Sequence, residues 1–218
     1  VRPGAQLDLQ NLTIRNGEEV IGGAILNGGS LTLDNVVVET STADIGGGLY
    51  NDLLQDSLAG DIVAADTTLT LNDASGFPAT GSFDIRINTE EIRVTTVVGN
   101  TFTVVRGVNG TTAADHLTSD TVTLVQELTI TDSTVRNNVA RLQGGGLFNE
   151  NELTLTRATF SGNVSHAQGG GLYNQSTATI VDTTFDSNVA DGNGGAIYNN
   201  AGINSTSRVT ITGSTLSN

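Results

Sequence analysis

Short apolar segments recur along the chain at intervals close to 25 residues. In each segment two apolar residues flank a single residue that is usually polar, and a further apolar residue follows five positions later. The segments begin at Leu7, Leu31, Leu128, Leu153, Ala178 and Val209. Because the side chains of a strand alternate between its two faces, this pattern predicts short strands with one buried face.

Paired glycines and asparagines recur at fixed places between these segments. Each Gly-Gly step is followed by Ile or Leu, directly or after one small residue, and an asparagine stands two positions later. These asparagines are Asn27, Asn51, Asn149, Asn174 and Asn199. Asparagine tolerates left-handed backbone, and its amide can hydrogen-bond to a copy above and below. The sequence therefore predicts a structural ladder of asparagines along one corner of a stacked repeat.

We interpret each unit as one turn of a right-handed parallel β-helix. Repeated units of this length, none of which can bury its own apolar face, are typical of solenoids. Thr, Val and Ile in the strand positions, together with paired glycines, disfavour a helical repeat. The predicted fold is therefore all-β, with successive turns stacked about 4.8 Å apart and equivalent residues lying over one another.

Two motifs give the repeat a family resemblance. Residues Phe160–Asn163 and Phe185–Asn188 match the pattern FxxN, and Gly22–Ile25 and Gly194–Ile197 match GGA[ILV]. This pairing resembles the repeats of the polymorphic outer-membrane proteins. The resemblance implies a β-helical, surface-displayed and adhesive protein, similar to the passenger of an autotransporter. Val135 departs from the motif, since the pattern has Phe at its position.

The regular spacing is interrupted once by a long stretch. Between the corner asparagine and the next strand, ordinary turns have three residues, but 76 residues follow Asn51 and nine follow Asn199. We predict β-helix turns in residues 1–51 and 127–218 and an inserted domain in residues 52–126. Strand-like runs separated by turn signals such as Gly99-Asn100 predict a small antiparallel β-barrel or sandwich there. Inserts on rigid scaffolds often carry binding function, although an insertion without a ligand is an open alternative.

Composition and charge exclude several classes of function. The 218 residues contain no Cys, and 23 acidic residues against 9 basic ones give a net charge of −14. The absence of Cys excludes disulfide scaffolds and thiolate metal sites. The negative charge disfavours nucleic acid as a partner. No apolar run approaches the roughly 20 residues that span a bilayer, so we expect no direct membrane insertion of this segment.

The carboxylates do not form a convincing catalytic pair. Asp132 and Asp182 are expected about 9.6 Å apart, two turns from each other, which is near the upper limit for an inverting glycosidase pair. Arg157 is expected between them, and a ladder of alternating charges is the simpler interpretation. The chain contains no Lys to act as the base of a lyase. We therefore predict no catalytic residues.

Metal binding is not predicted either. His116 and His166 are expected to be isolated, and without Cys they form no transition-metal site. Calcium is left as an alternative, because aspartates cluster in one turn and at the start of the insertion. It is the weaker interpretation, because these aspartates do not have the spacing of a calcium-binding loop. These residues are Asp182, Asp186 and Asp191, and Asp52, Asp56, Asp61 and Asp66. No cofactor is therefore predicted.

One column of aromatic residues is a candidate binding surface. Tyr50, Phe148, Tyr173 and Tyr198 each follow an inner residue, so strand alternation is expected to point them outward. An exposed aromatic ladder suits stacking on sugars or docking of a protein. The alternative is that the rings pack at the corner, beneath the longer connections that follow Asn51 and Asn199.

The sequence favours a non-enzymatic scaffold or adhesin at the cell surface. Its expected partner is a host-cell or glycan surface, and its expected location is extracellular. The alternatives are a carbohydrate-active β-helix enzyme or tailspike-like depolymerase, and a self-assembling fibre segment. Unpaired strand edges at both ends of such a column predict either a longer solenoid or end-to-end pairing of copies.

Overall fold

A computed structural model describes residues 1–201 and 207–217, and all regular elements in these ranges are β-strands. The chain divides into two units, Val1–Asp52 with Glu127–Asn218, and Leu53–Gln126. We call them the column and the inserted unit. No helix long and apolar enough to span a membrane occurs in the described ranges.

The strands follow one another in turns of four. The first two turns contain β1 (Gln6–Gln10), β2 (Thr13–Arg15), β3 (Glu18–Ile21), β4 (Ile25–Asn27), β5 (Ser30–Asp34), β6 (Val37–Glu39), β7 (Thr42–Ile45) and β8 (Leu49–Asn51). The inserted unit contains β9 (Gln55–Ser57), β10 (Thr68–Thr70), β11 (Phe83–Ile87), β12 (Glu90–Val98), β13 (Thr101–Val105) and β14 (Thr121–Leu124).

The column then resumes with the same four-strand turn. Its later strands are β15 (Glu127–Thr131), β16 (Thr134–Arg136), β17 (Val139–Gln143), β18 (Leu147–Asn149), β19 (Glu152–Thr156), β20 (Thr159–Ser161), β21 (Val164–Ser165), β22 (Leu172–Asn174), β23 (Thr177–Val181), β24 (Thr184–Asp186), β25 (Val189–Ala190), β26 (Ile197–Asn199), β27 (Arg208–Thr212) and β28 (Thr215–Ser217).

Four parallel sheets run along the column, one for each strand position of the turn. The first has the order β1-β5-β15-β19-β23-β27, and the other three repeat this order with their own strands. Equivalent residues pair across turns, as Leu128 does with Leu31 and Leu153. The all-β, stacked parallel β-helix predicted from the sequence is confirmed.

The interior of the column is a continuous stack of apolar side chains. Leu33, Ile130 and Leu155 lie in one fully buried row, and Phe160 stacks on Phe185 with ring centroids 5.0 Å apart. Paired glycines let adjacent turns approach closely. A Cβ on Gly145 would lie 2.5 Å from the carbonyl oxygens of both Gly170 and Val164, so only glycine fits there.

The long excursion replaces one residue of the corner. The amide of Asp52 donates to the Asn27 carbonyl (2.8 Å), as the amide of Glu150 does to Asn51 (2.9 Å), and Glu127 pairs with Glu152. Residues 53–126 therefore occupy the place of Asn151 alone. The shorter excursion, residues 201–207, takes the equivalent place beside Ser176, because Arg208 pairs with Thr177. Residues 202–206 of that excursion lie outside the described part of the chain.

The inserted unit has its own sheet and its own core. Six antiparallel strands follow the order β10-β13-β12-β11-β14-β9, which confirms the predicted antiparallel character. Phe102 is fully buried, with Phe77 and Phe83 edge-on to it at 5.7 and 5.8 Å. Gly99 has a φ of 57°, which suits the predicted turn between β12 and β13. The strand β9 was not predicted, because its sequence is polar.

Candidate functional site

The corner asparagines form a continuous chain of side-chain hydrogen bonds. Each Nδ2 donates to the Oδ1 of the next turn at 2.7–2.8 Å, in the order Asn27, Asn51, Asn149, Asn174 and Asn199. The second hydrogen of the Asn149 and Asn174 amides bonds the carbonyls of Asn151 (2.7 Å) and Ser176 (2.6 Å). These amides are buried and their donors are used within the corner, so this ladder holds the turns together.

A second asparagine ladder explains the FxxN motif. Asn163 donates through Nδ2 to the Val135 carbonyl and to Asn188 Oδ1, both at 2.9 Å. Its Oδ1 accepts from the backbone and side-chain nitrogens of Asn138, both at 3.1 Å. Each motif asparagine thus satisfies two buried backbone groups of the preceding turn. The second turn lacks the asparagine, and the Ser41 hydroxyl accepts there from the Gly17 amide at 3.1 Å.

The aromatic column is stacked face to face. The ring centroids of Tyr50 and Phe148 lie 5.0 Å apart, those of Phe148 and Tyr173 4.8 Å, and those of Tyr173 and Tyr198 5.2 Å. Phe148 and Tyr173 are only 3% and 2% exposed, and Tyr50 and Tyr198 are half-buried. Of the two alternatives for this ladder, exposed or packed at the corner, the two middle rings therefore follow the packed one. In-register stacking covers both faces of a middle ring with its neighbours.

Polar groups cover the outer edge of the stacked aromatic rings. The Tyr50 hydroxyl donates to Glu150 Oε2 at 2.6 Å, and the Tyr173 hydroxyl oxygen accepts from Asn200 Nδ2 at 2.8 Å. Burial raises the pKa of Glu150, and nearby Asp52 adds to the increase. Burial and the Glu150 acceptor likewise raise the pKa of Tyr50, so its hydroxyl keeps its proton. The stacked aromatic rings leave little open ring surface for a sugar, and the exposed part of that surface belongs to Tyr50 and Tyr198.

The carboxylates considered for catalysis occupy a left-handed corner. Asp132, Arg157 and Asp182 all have φ values of 49–50°. Arg157 donates to both oxygens of Asp132, at 2.7 and 2.6 Å. These hydrogen bonds lower the pKa of Asp132. Arg157 thus sits between two carboxylates, and the arrangement favours a carboxylate that stays ionised over one that donates a proton.

Several of the aspartates considered for calcium accept hydrogen bonds from neighbouring groups of the chain. No group of three or more His, Cys, Asp or Glu residues placed to hold a metal occurs among the residues that the structure describes. Asp61 accepts from the amide and hydroxyl of Thr118, and Asp186 accepts from the Ser217 hydroxyl. Asp191 binds His166 at 2.9 Å. These carboxylates therefore fix loops of the chain.

The inserted unit contains a buried ionic cluster that the sequence analysis missed. Glu90 is 1% exposed, and its carboxylate accepts hydrogen bonds from Nε and Nη2 of Arg106, both at 2.7 Å. It also binds His116 Nε2 at 2.8 Å and the amides of Gly107 and Ala114 at 3.0 Å. The expectation that His116 and His166 are isolated is therefore wrong. Folding brings His116 to a carboxylate 26 residues away and places His166 beside Asp191.

One signal could have revealed this cluster. Glu90 lies on the same face of β12 as Ile92 and Val94, which point into the core. Strand alternation therefore places a charge inside an apolar core. A charge in that position needs a partner. The sequence does not name the partner, since Arg106 and His116 lie in a loop without repeat.

The Glu90 cluster predicts how acid affects the inserted unit. Burial would raise the pKa of Glu90, but Arg106, His116 and two amides outweigh it and hold the pKa at about 2, below the ordinary 4.5. A depressed pKa contributes stability above pH 4.5 that is lost as pH falls towards 2. We expect the Tm difference between the wild type and Glu90→Gln to be largest above pH 5 and to shrink towards pH 2, in thermal melts followed by circular dichroism. A difference independent of pH would contradict this assignment.

Comparison with protein families places the repeat. Residues 157–175 and 182–200 match the Chlamydia polymorphic membrane protein repeat. Both stretches contain an FxxN motif and a corner asparagine, Asn174 or Asn199. The resemblance predicted from the motifs is confirmed for these two turns. No curated protein matches the chain at a significant level.

Solved structures with similarity to the chain are phage tailspikes. The Gp54 tailspike of Acinetobacter baumannii bacteriophage AP22, in complex with capsular saccharide, is 12% identical with a TM-score of 0.29, over 97% of this chain and 41% of that one. The Pseudomonas phage phi297 tailspike gp61 is 12% identical with a TM-score of 0.32, over 96% and 39%. The tailspike protein gp49 from Pseudomonas phage LKA1 is 12% identical with a TM-score of 0.25, over 86% and 34%. The chain spans about two-fifths of the length of the first two.

Proposed function

We propose that this chain is part of an exported, non-enzymatic surface protein, in which the column is a rigid support and the inserted unit binds the attachment partner. The observation that carries the proposal is the exchange of one corner residue for a unit with its own core. Asp52 and Glu127 keep the backbone positions of Glu150 and Glu152. An insert that leaves the repeat unaltered can carry a function separate from that of the support.

The hydrogen-bonded ladders of the column fit its proposed role as a support. The polar side chains of the column bond one another from turn to turn. They are the asparagines from Asn27 to Asn199, those from Asn138 to Asn188, and the Arg157–Asp132 pair. The inserted unit also exposes large apolar side chains, as the column does at Val20, Leu142 and Val189. Those of the inserted unit are Val63, Val98, Val105 and Leu117, which are 51–73% exposed. Exposed apolar groups are a common feature of binding surfaces.

The repeat type supports placement at a cell surface. Two turns match the Chlamydia polymorphic membrane protein repeat, and the absence of Cys fits an exported protein. The proposed partner is a host-cell or glycan surface.

A deletion variant tests the proposal. Replacing Leu53–Gln126 with a single Asn recreates the corner Glu150-Asn151-Glu152 as Asp52-Asn-Glu127, so we expect the column to fold. We expect the full chain to attach to cultured animal cells or to a glycan array, and the deletion variant to lose that attachment. Circular dichroism verifies that the column retains its β-structure.

A matched deletion at the equivalent corner serves as the control. Replacing residues 201–207 with a single Ser reproduces the corner around Ser176 and leaves the inserted unit intact, so attachment should persist. Equal attachment of the Leu53–Gln126 deletion variant and the full chain would contradict the proposal. Release of reducing sugars from a polysaccharide panel by the full chain would contradict the non-enzymatic part.

A further inference from the structure

Two segments of the inserted unit are locked together and present apolar side chains outward. Ile62 and His116 exchange both backbone hydrogen bonds at 2.9 Å in an isolated antiparallel bridge. Their side chains are buried, at 6% and 3% exposure. Strand alternation therefore turns the next residues, Val63 and Leu117, to the opposite face. These two side chains are 51% and 66% exposed, and each directly follows a bridge residue in the chain.

The exposed pair is rigidly held. Arg106 bonds the Val63 carbonyl at 2.8 Å through Nη1 while its other nitrogens bind the buried Glu90. The Ala64 amide donates to Asp115 at 2.8 Å, and the Leu117 amide donates to Asp120 at 3.0 Å. A surface fixed in this way loses little conformational entropy when it binds a partner.

Four aspartates surround this exposed pair. Asp61, Asp66, Asp115 and Asp120 lie within the two segments, each accepting a hydrogen bond from a neighbouring backbone amide. The three arginines of residues 53–126 are already paired with other carboxylates. Those pairs are Arg86–Glu91, Arg93–Asp84 and Arg106–Glu90. Among the described residues no arginine lies within ion-pair distance of the four aspartates, and His116 Nδ1 lies 3.8 Å from Asp120 Oδ2. Four carboxylates beside one histidine give the rim a net negative charge.

We infer that Val63, Leu117 and the surrounding aspartates form a docking surface for a protein with exposed apolar side chains and a basic rim. An apolar centre excludes water, and a rim of one charge selects partners of the opposite charge. A glycan supplies no cationic rim and fits this surface less well. The inference rests on the proposed function, because it names the class of partner that the inserted unit binds.

Designed peptides test the inference on the full chain. The probes are a peptide of alternating Leu and Arg, a matched Leu/Glu peptide and a matched Ser/Arg peptide, each with a fluorescent label for anisotropy. We expect binding of the Leu/Arg peptide, weaker binding of Ser/Arg, and loss of binding for Leu/Glu. Added salt should weaken binding, since the rim contribution is electrostatic.

Matched variants locate the binding surface. Leu117→Ser should weaken binding of the Leu/Arg peptide several-fold, while Val98→Ser, which removes an equally exposed side chain near the β12–β13 turn, should leave it unchanged. Hydrogen exchange should show peptide-induced protection at residues 61–66 and 115–120. Unchanged affinity in Leu117→Ser, equal loss in Val98→Ser, or protection only elsewhere would overturn the inference. Retained cell attachment after deletion of Leu53–Gln126 would instead overturn the proposed function.

Discussion

Replacing Glu90 with Ala is expected to unfold much of the inserted unit. The substitution leaves the Arg106 guanidinium, which is 7% exposed, without its carboxylate. It also removes the acceptor of His116 and of the amides of Gly107 and Ala114. Breaking a buried ion pair by removing one partner costs about 3–5 kcal/mol. That cost is a large part of the stability of a domain of this size.

Tryptic cleavage measures this loss directly, because the chain contains no Lys and trypsin cuts only after arginine. Arg86, Arg93 and Arg106 lie in the inserted unit. We expect their cleavage in the Glu90→Ala variant to accelerate by roughly 10² to 4 × 10³, as follows from about 3–5 kcal/mol. The control is Asp84→Ala, which breaks the more exposed pair with Arg93 and should cost no more than about 1 kcal/mol. Cleavage of Glu90→Ala at the wild-type rate would show that the cluster is dispensable.

Replacing Asn163 with Ala is expected to destabilise the column in its middle. Asn163 is fully buried, and four hydrogen bonds of its carboxamide link three turns. The change leaves the Val135 carbonyl and the Asn138 amide without partners. Each orphaned buried group costs about 1–3 kcal/mol, so the expected loss for the two groups is about 2–6 kcal/mol.

Urea unfolding followed by circular dichroism checks this expectation. Asn199→Ala is the matched control, since Asn199 is exposed and accepts one side-chain hydrogen bond, from Asn174. Its loss should cost about 0.5–1.5 kcal/mol. Equal shifts in the unfolding midpoint for the two variants would contradict the view that the FxxN asparagine satisfies buried backbone.

The repeat made most of the column predictable from sequence. Leu128, Leu153 and Ala178 recur at the same place in each unit, and in a stacked solenoid equal positions have equal neighbours. A residue type that recurs at one position of the repeat therefore indicates whether that position is buried or exposed in every turn. The corner asparagines and Asn138, Asn163 and Asn188 were recognisable for the same reason.

The candidate site was predictable only in part. Alternation gave the outward direction of Tyr50, Phe148, Tyr173 and Tyr198, but it did not give their exposure. Burial of the middle rings depends on the distance between turns, which brings ring faces within 5 Å of each other. Hydrogen bonds from Asn200 and Gln175 to Tyr173 also arise only after folding.

By itself the sequence determined the stacked parallel column, its register and the antiparallel character of the inserted strands, because these follow from local alternation and from repetition. Only the tertiary structure decided that Phe148 and Tyr173 are buried, that Glu90 joins Arg106 and His116, and that Val63 and Leu117 are exposed beside the Ile62–His116 bridge. These features depend on contacts between residues distant in the chain and outside the repeat. No periodic pattern reports such contacts, since each occurs once and is fixed by how the loops close over the sheet.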